Sequence, residues 1–219
     1  MRAGLMRVLL IHGWGFDRRF WEPVAARLRY ETCVPDVGFS DGAARGVLPD
    51  EFVVAVGHSL GLLWLLAHGV LPASALILGI NGFTRFARAA DFPDGVAPRI
   101  LERMEAGLGR DAGAVVRQFH VNCGLSGGPD ETAGLPVPES LRRGLHLLRH
   151  GDARALRDRV AGVLASRDDA IVPPALTEAC FSADRISWSR SGGHLLPLTE
   201  PDLCVRFICD AMERHRHAV

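Results

Sequence analysis

A serine set between two glycines is the first feature of the chain that could carry chemistry. Ser59 is the central residue of GHSLG at 57–61, with apolar runs before it at 52–56 and after it at 60–66. We expect a strand, a very tight turn and a helix, because glycines without a Cβ let the helix begin almost on top of the strand end. Such a turn exposes the serine hydroxyl at the rim of a sheet, near the N–H groups of the helix. The pattern therefore predicts a nucleophile at Ser59.

A serine nucleophile needs a base within hydrogen-bond reach, and the base needs an acidic group that fixes its tautomer. Two late loops offer these groups: Asp168 and Asp169 follow the run 160–165, and His194 follows the run 185–189. We prefer Asp169 because it stands directly before the turn into the next helix, and Asp168 remains the alternative by position. The order serine, aspartate, histidine predicts catalysis by Ser59, Asp169 and His194.

The negative oxygen that forms during acyl transfer needs preorganised N–H donors. The backbone N–H of Leu60, directly after the serine, is one candidate. The second should come from the loop after the first strand, where Trp14 stands in HGWG at 12–15. We therefore expect the oxyanion hole to use the backbone N–H groups of Trp14 and Leu60, while the Trp14 ring packs or contacts substrate.

The elements that must position these residues alternate between strands and helices. We predict strands at 7–11, 32–36, 52–56, 75–80, 160–165 and 185–189. This alternation is typical of an α/β fold, here a mostly parallel central sheet of about six strands with helices on both faces. Ligands of such sheets bind outside the carboxyl ends of the strands, so the loops described above should converge there.

One region breaks the alternation. Residues 83–150 contain no convincing strand but hold amphipathic helical runs at 100–105, 114–119 and 141–148, with a loop rich in glycine and proline at 124–138. We therefore expect a core formed by residues 1–82 and 151–219 and an inserted helical lid at 83–150.

Composition limits the remaining classes of function. The 219 residues suit one domain, and 48% of them are hydrophobic, as in a globular protein. The net charge of zero gives no case for binding nucleic acid or a membrane surface. The five cysteines include no C-x-x-C pair, so neither a zinc site nor a redox motif is indicated. The apolar run near the N-terminus is too short for a membrane span. We expect a cytoplasmic monomer without metal or cofactor.

Taken together, these motifs resemble the α/β-hydrolase superfamily. The resemblance rests on HGWG at 12–15, GHSLG at 57–61, DAIVP at 169–173, and His194 followed by Pro197. Within the superfamily the chain looks most like the pimeloyl-acyl-carrier-protein methyl ester carboxylesterases of biotin synthesis, through Trp14 and the flow of the inserted region. That resemblance implies a Ser-His-Asp triad without cofactor and a pimeloyl methyl ester on acyl carrier protein as substrate and partner.

The resemblance also implies that arginines of the lid meet the acidic carrier protein, while apolar side chains line an acyl channel. The substrate contacts expected on this basis are Trp14, Phe119, Arg117, Arg142 and Arg143, with Arg99, Arg103 and Arg149 as further candidates on the same helices. For any single arginine, a solvated helix face is the alternative. Two other functions stay open: a general carboxylesterase or thioesterase for small acyl esters, and a non-catalytic binding protein with a hydrolase fold.

Overall fold

A parallel sheet forms the centre of the molecule in the computed structural model, which describes residues 7–39, 54–68, 72–125 and 138–218. Its six strands have the order β2-β1-β3-β4-β5-β6, and every neighbouring pair is parallel. The strands are β1 (Arg7–Ile11), β2 (Glu31–Cys33), β3 (Val54–His58), β4 (Leu76–Ile80), β5 (Val160–Ser166) and β6 (Ile186–Ser189). The predicted α/β fold with a parallel sheet of about six strands is confirmed.

Helices follow most of the strands. They are α1 (Glu22–Ala25), α2 (Leu60–Ala67), α3 (Pro98–Asn122), α4 (Pro138–His150), α5 (Pro174–Cys180), α6 (Leu196–Thr199) and α7 (Pro201–Ala218). Short 3₁₀ turns lie at Arg18–Trp21, Arg154–Arg159, Ala183–Arg185 and Gly193–Leu195. Within the described ranges, none of these helices combines the length and the apolar character that crossing a bilayer requires.

The long helix α3 is broken at one residue. The predicted helical runs at 100–105 and 114–119 lie in its two parts, which are separated by the non-helical Asp111 (φ −153°, ψ 93°). Glycines at 107, 109 and 113 weaken the helical signal between the runs, so the sequence pattern suggested two separate pieces.

The sheet has a hydrophobic core on each face, because successive strand side chains point in opposite directions. Val8 and Leu10 of β1 pack on the side of α1 and α7, whereas Leu9 and Ile11 pack on the side of α2. All four are fully buried. Helix α2 is apolar all round, and its residues 60–66 are buried between the sheet and the inserted helices.

Two strands have boundaries that shift by two or three residues from prediction, and the other four agree within one residue. The predicted strand 52–56 appears as Val54–His58, with residues 52 and 53 outside the described part of the chain. The predicted strand 32–36 ends at Cys33, before Pro35, since proline has no N–H to donate to a neighbouring strand. The expectations for most of the loop at 38–50 and of the loop at 124–138 concern residues outside the described ranges.

The strand order places a crevice beside β1 and β3. The chain leaves β1 towards β2 on one side, and it leaves β3 towards β4 on the other side. The loops that follow β1 and β3 therefore diverge and open a crevice at the carboxyl ends of the strands, which is where ligands of such sheets bind. Ser59 follows β3 directly, and the HGWG loop follows β1.

Candidate active site

Ser59 lies on a strained turn between β3 and α2. Its backbone has φ 52° and ψ −122°, a region that L-residues rarely adopt. A Cβ on Gly57 would lie 2.3 Å from the backbone nitrogen of Leu62, and a Cβ on Gly61 would lie 2.5 Å from the carbonyl oxygen of Ile11. Both glycines are therefore required for the close approach of strand and helix that holds Ser59 in this conformation.

The helix after this turn packs tightly against the end of β4. A Cβ on Gly79 or on Gly82 would lie within 2.8 Å of the Leu62 side chain. Leu62 thus occupies space that two glycines of a neighbouring segment leave open. This complementarity fixes the first turn of α2 and, with it, the position of Ser59.

An aspartate and a histidine from the two late loops are in direct contact. Nδ1 of His194 lies 2.8 Å from Oδ2 of Asp169, and both side chains are about 1% exposed. The other carboxylate oxygen, Oδ1, accepts the backbone N–H groups of Ile171 and Val172 at 2.8 and 2.9 Å. Asp169 is therefore held at both oxygens, and one of them faces the imidazole.

This contact assigns the tautomer of His194. Because a carboxylate only accepts hydrogen bonds, Nδ1 carries the proton and Nε2 is left as an acceptor. Nε2 is buried and has no hydrogen-bond partner in the described part of the chain. His58, the residue before Ser59, donates from its own Nε2 to the His194 carbonyl at 2.9 Å. The imidazole thus stands beside the turn that carries the serine, with a free acceptor nitrogen.

Asp168 has a different set of partners. Its Oδ1 accepts the Ser166 hydroxyl and, at 2.9 Å, the backbone N–H of Gly193. These two hydrogen bonds lower the pKa of Asp168, so it is a carboxylate at neutral pH. Of the two aspartates that the sequence offered, the structure places Asp169 against the imidazole and Asp168 against the backbone of the histidine loop.

The loop after β1 lies against the serine turn. A Cβ on Gly13 would lie 3.0 Å from the Ser59 Cβ, which is closer than an ordinary van der Waals contact. A glycine at this position therefore lets the backbone of the loop lie directly against the serine. The next residue, Trp14, is buried, and its indole N–H donates to the Leu141 carbonyl of α4 at 2.9 Å. Leu60 is the first residue of α2. Both predicted oxyanion-hole residues therefore adjoin Ser59.

A cavity of about 610 Å³ opens from Ser59 beneath the inserted helices. Its wall is mainly apolar and is formed by Trp14, Ser59, Phe86, Arg88, Asp94, Gly95, Val96, Ala97, Ile100, Leu101, Met104, Phe119, Asn122, Leu148, Ala170, Ile171 and Pro173. Trp14 and Phe119 were expected from the sequence to contact substrate, and their rings meet edge to face at 5.0 Å. The wall can accommodate an apolar chain beside Ser59.

The three arginines expected to bind substrate do not line this cavity. Arg117 lies 3.9 Å from Asp111, and Arg142 lies 3.8 Å from Glu139, on exposed helix surfaces. Arg143 donates from Nε to the carbonyl of Gly38 at 3.1 Å. Their positions suit contacts outside the cavity rather than within it.

Sequence reasoning missed Asn81, which lies directly after β4 at the same sheet edge. Its amide nitrogen donates to the carbonyls of Gly193 and His194, and its amide oxygen accepts the backbone N–H of Ser166. The sequence feature that could have pointed to Asn81 is its place as a polar residue directly after a buried strand.

In the described residues, no group of three or more histidine, cysteine or acidic side chains could hold a metal ion.

With this geometry in view, the chain belongs to the alpha/beta hydrolase family, whose model matches residues 8–207. Family, fold and site together define a hydrolase. A pimeloyl-[acyl-carrier protein] methyl ester esterase of Neisseria meningitidis serogroup B (strain H44/76) is 27% identical over 209 residues, covering 81% of this chain and 80% of that protein. The protein of the same name from Legionella pneumophila (strain Corby) is 27% identical over 165 residues, covering 68% of each chain.

Solved structures show the same architecture. The crystal structure of a bromoperoxidase from Bacillus anthracis is similar to this chain with a TM-score of 0.77, at 17% sequence identity, over 95% of this chain and 92% of that one. At this identity the likeness concerns the fold alone.

Proposed function

We propose that the protein is a serine carboxylesterase that hydrolyses the methyl ester of a pimeloyl group carried on acyl carrier protein. The observation that carries the proposal is the Asp169–His194 hydrogen bond of 2.8 Å beside the strained turn of Ser59. Together these residues supply a nucleophile (Ser59), a general base (His194) and a carboxylate that orients the base (Asp169), which are the groups that nucleophilic catalysis requires.

The reaction begins when Ser59 Oγ attacks the ester carbonyl carbon. His194 Nε2 takes the hydroxyl proton, and Asp169 stabilises the imidazolium that results. The tetrahedral intermediate collapses when its bond to the methoxy oxygen breaks, and the imidazolium returns the proton to the departing methanol. A water molecule, deprotonated by the same imidazole, then attacks the acyl carbon. The bond to Ser59 Oγ breaks, the imidazolium returns the proton to that oxygen, and the free carboxylic acid product leaves.

The intermediate carries a negative oxygen that needs donors. The backbone N–H groups of Leu60 and Trp14 would supply them from the start of α2 and from the loop after β1. The close approach of Gly13 to Ser59 supports this assignment. Each such donor typically contributes about 3 kcal/mol of transition-state stabilisation.

The substrate assignment rests on the relatives and on the shape of the cavity. Relatives from two organisms are named as pimeloyl-[acyl-carrier protein] methyl ester esterases. A mainly apolar cavity that opens from Ser59 suits the methylene chain of a pimeloyl group.

We assign the role of a lid to residues 83–150, over a core of residues 1–82 and 151–219. Two observations support the assignment: α3 and α4 pack on each other, and side chains of both helices line the cavity of Ser59. Arg149 of α4 bridges to Glu102 and Glu105 of α3, which joins the two helices at the surface. Arg117, Arg142 and Arg143 then lie on the outer surface of this lid or at its edge, where an acidic carrier protein could dock.

Ester hydrolysis by the wild type and by Ser59→Ala tests the catalytic proposal. We expect the variant to lose hydrolysis and labelling by a fluorophosphonate probe. A variant that still hydrolysed esters would refute the mechanism. A wild-type protein that the probe does not label, and that hydrolyses no ester, would instead be a binding protein.

The substrate is tested by comparing kcat/KM for pimeloyl-carrier methyl ester with that for free short-chain methyl esters and acyl thioesters. We expect the carrier-bound ester to be preferred, and Arg142→Glu to lower its rate while free esters are unaffected. A preference for free esters or thioesters would make the protein a general esterase or thioesterase.

The matching cellular test is complementation of a biotin auxotroph that lacks its own esterase. We expect the wild type to restore growth without biotin and Ser59→Ala, the control, not to restore it.

A further inference from the structure

His194 lies in the 3₁₀ turn Gly193–Leu195, which the chain enters through a pair of glycines. The loop follows β6 and passes through Gly192 and Gly193, whose φ angles of 115° and 62° are left-handed. Glycine backbone at such angles has wide conformational freedom. Groups outside the loop therefore help to fix the position of the imidazole.

Those groups converge on two adjacent carbonyls. Asn81 Nδ2 donates to the carbonyl of Gly193 at 2.9 Å and to that of His194 at 2.9 Å. His58 Nε2 donates to the His194 carbonyl as well, at 2.9 Å. The carbonyl of the residue that carries the imidazole thus accepts from two buried donors.

Asn81 also reaches the loop that carries the acid. Its Oδ1 accepts the backbone N–H of Ser166 at 2.9 Å, and its own N–H donates to the Leu164 carbonyl at 2.8 Å. Ser166 is the last residue of β5, three positions before Asp169. One amide side chain therefore connects the end of β4 to both loops that supply the Asp169–His194 pair.

The backbone conformation and the burial of Asn81 both suit these hydrogen bonds. Its φ is 46°, in the left-handed region, where asparagine is one of the few non-glycine residues found often. Asn81 is 1% exposed, so its amide is shielded from competing water. A buried residue whose amide nitrogen and amide oxygen both bond to functional loops fits a positioning role.

We propose that Asn81 is a positioning residue that sets the orientation of His194 relative to Asp169. The proposal rests on the proposed function, since it gives His194 the role of the base. Asn81 itself touches no reacting atom in this scheme. It acts by holding the backbone of Gly193 and His194 where the imidazole can accept the serine proton.

Two substitutions separate the hydrogen bonds from the backbone. Asn81→Gly allows the left-handed backbone and removes all side-chain bonds. Asn81→Asp keeps the shape and the acceptor for Ser166 but places an oxygen opposite the two carbonyls. For both we expect kcat to fall at least tenfold with KM within about twofold, because substrate binding does not involve Asn81.

A second readout does not depend on hydrolysis. The proton between His194 Nδ1 and Asp169 should give a low-field proton NMR resonance in the wild type, assigned by its absence from His194→Gln. We expect both Asn81 variants to weaken or shift this resonance. Ile208→Ala, a buried change in α7 away from the cavity, is the control for lowered stability, and it should leave the resonance and kcat unaltered.

The outcomes are distinct. If both Asn81 variants keep the wild-type resonance and kcat, or lose activity only to the extent that the Ile208→Ala control does, the positioning role is overturned. If Ser59→Ala proves active, the proposed function fails, while the resonance still reports whether Asn81 orients His194.

Discussion

The indole nitrogen of Trp14 donates a hydrogen bond to the Leu141 carbonyl, 2.9 Å away, and so joins the loop after β1 to helix α4 of the inserted region. The same ring meets Phe119 of α3 edge to face. His120 of α3 bonds the carbonyl of Gly15 in the same loop at 2.8 Å. Both inserted helices are thus attached to the loop that lies beside Ser59.

Trp14→Phe tests this attachment. The substitution keeps most of the ring and the backbone N–H but removes the bond to the Leu141 carbonyl. We expect the free energy of unfolding to fall by about 1–3 kcal/mol, because the variant loses one hydrogen bond and leaves space beside a smaller buried ring. Urea unfolding measures it, and a variant as stable as the wild type would show that the contact contributes nothing.

The fit of α4 onto Trp14 gives a second prediction. A Cβ on Gly144 would lie 2.6 Å from Trp14 Cδ1, whereas a Cβ on Gly109 of α3 would meet nothing within 4 Å. We expect Gly144→Ala to destabilise the protein by roughly 1–3 kcal/mol through overpacking against a buried ring. Gly109→Ala should stabilise it by about 0.5–1 kcal/mol through helix propensity alone. Melting temperatures of the two variants should move in opposite directions, and a parallel shift would contradict the packing argument.

The two neighbouring aspartates should differ in their effect on kcat. Asp169→Asn leaves the imidazole without its carboxylate and favours the wrong tautomer, so we expect a loss of roughly 10,000-fold. Asp168→Asn keeps an oxygen that can accept from Gly193, although more weakly, and should cost about tenfold or less. Steady-state hydrolysis of one ester by both variants makes the comparison. Equal losses would mean that the charge at either position serves the same purpose.

His58 should make the stability of the protein depend on pH. Burial, and then the nearby His194, hold the pKa of His58 well below its usual value of 6.5, with His12 adding a smaller effect. The folded state keeps His58 neutral, while the unfolded chain takes up a proton below about pH 6.5. Stability from this group is therefore fully present above that pH and is lost as the pH falls below it, by up to about 1.4 kcal/mol per pH unit.

His58→Gln removes the titration and retains an amide that can donate to the His194 carbonyl. Urea unfolding at pH 7.5, 6.5 and 5.5 should show a smaller loss of stability on acidification in this variant than in the wild type. Parallel pH dependences would show that His58 is not the group responsible.

The sequence by itself determined the order of the elements and the residues at their carboxyl ends. Alternating apolar runs and helical periods depend on neighbours within a few positions, so the sheet, helix α2 and the motifs around Ser59, Asp169 and His194 could be predicted. Boundaries were less secure, as the end of β2 before Pro35 shows.

Only the tertiary structure decided which side chains meet. Asp168 and Asp169 are adjacent in the chain; position favoured Asp169, but only the folded turn after β5 shows which carboxylate faces the imidazole. Asn81 lies 85 positions from Ser166 and 112 from Gly193, and its hydrogen bonds to both exist because β4, β5 and β6 are consecutive in the sheet. Hydrogen bonds and packing act over a few ångströms of space, whatever the separation along the chain, and so the partners of the histidine loop became visible only in the folded protein.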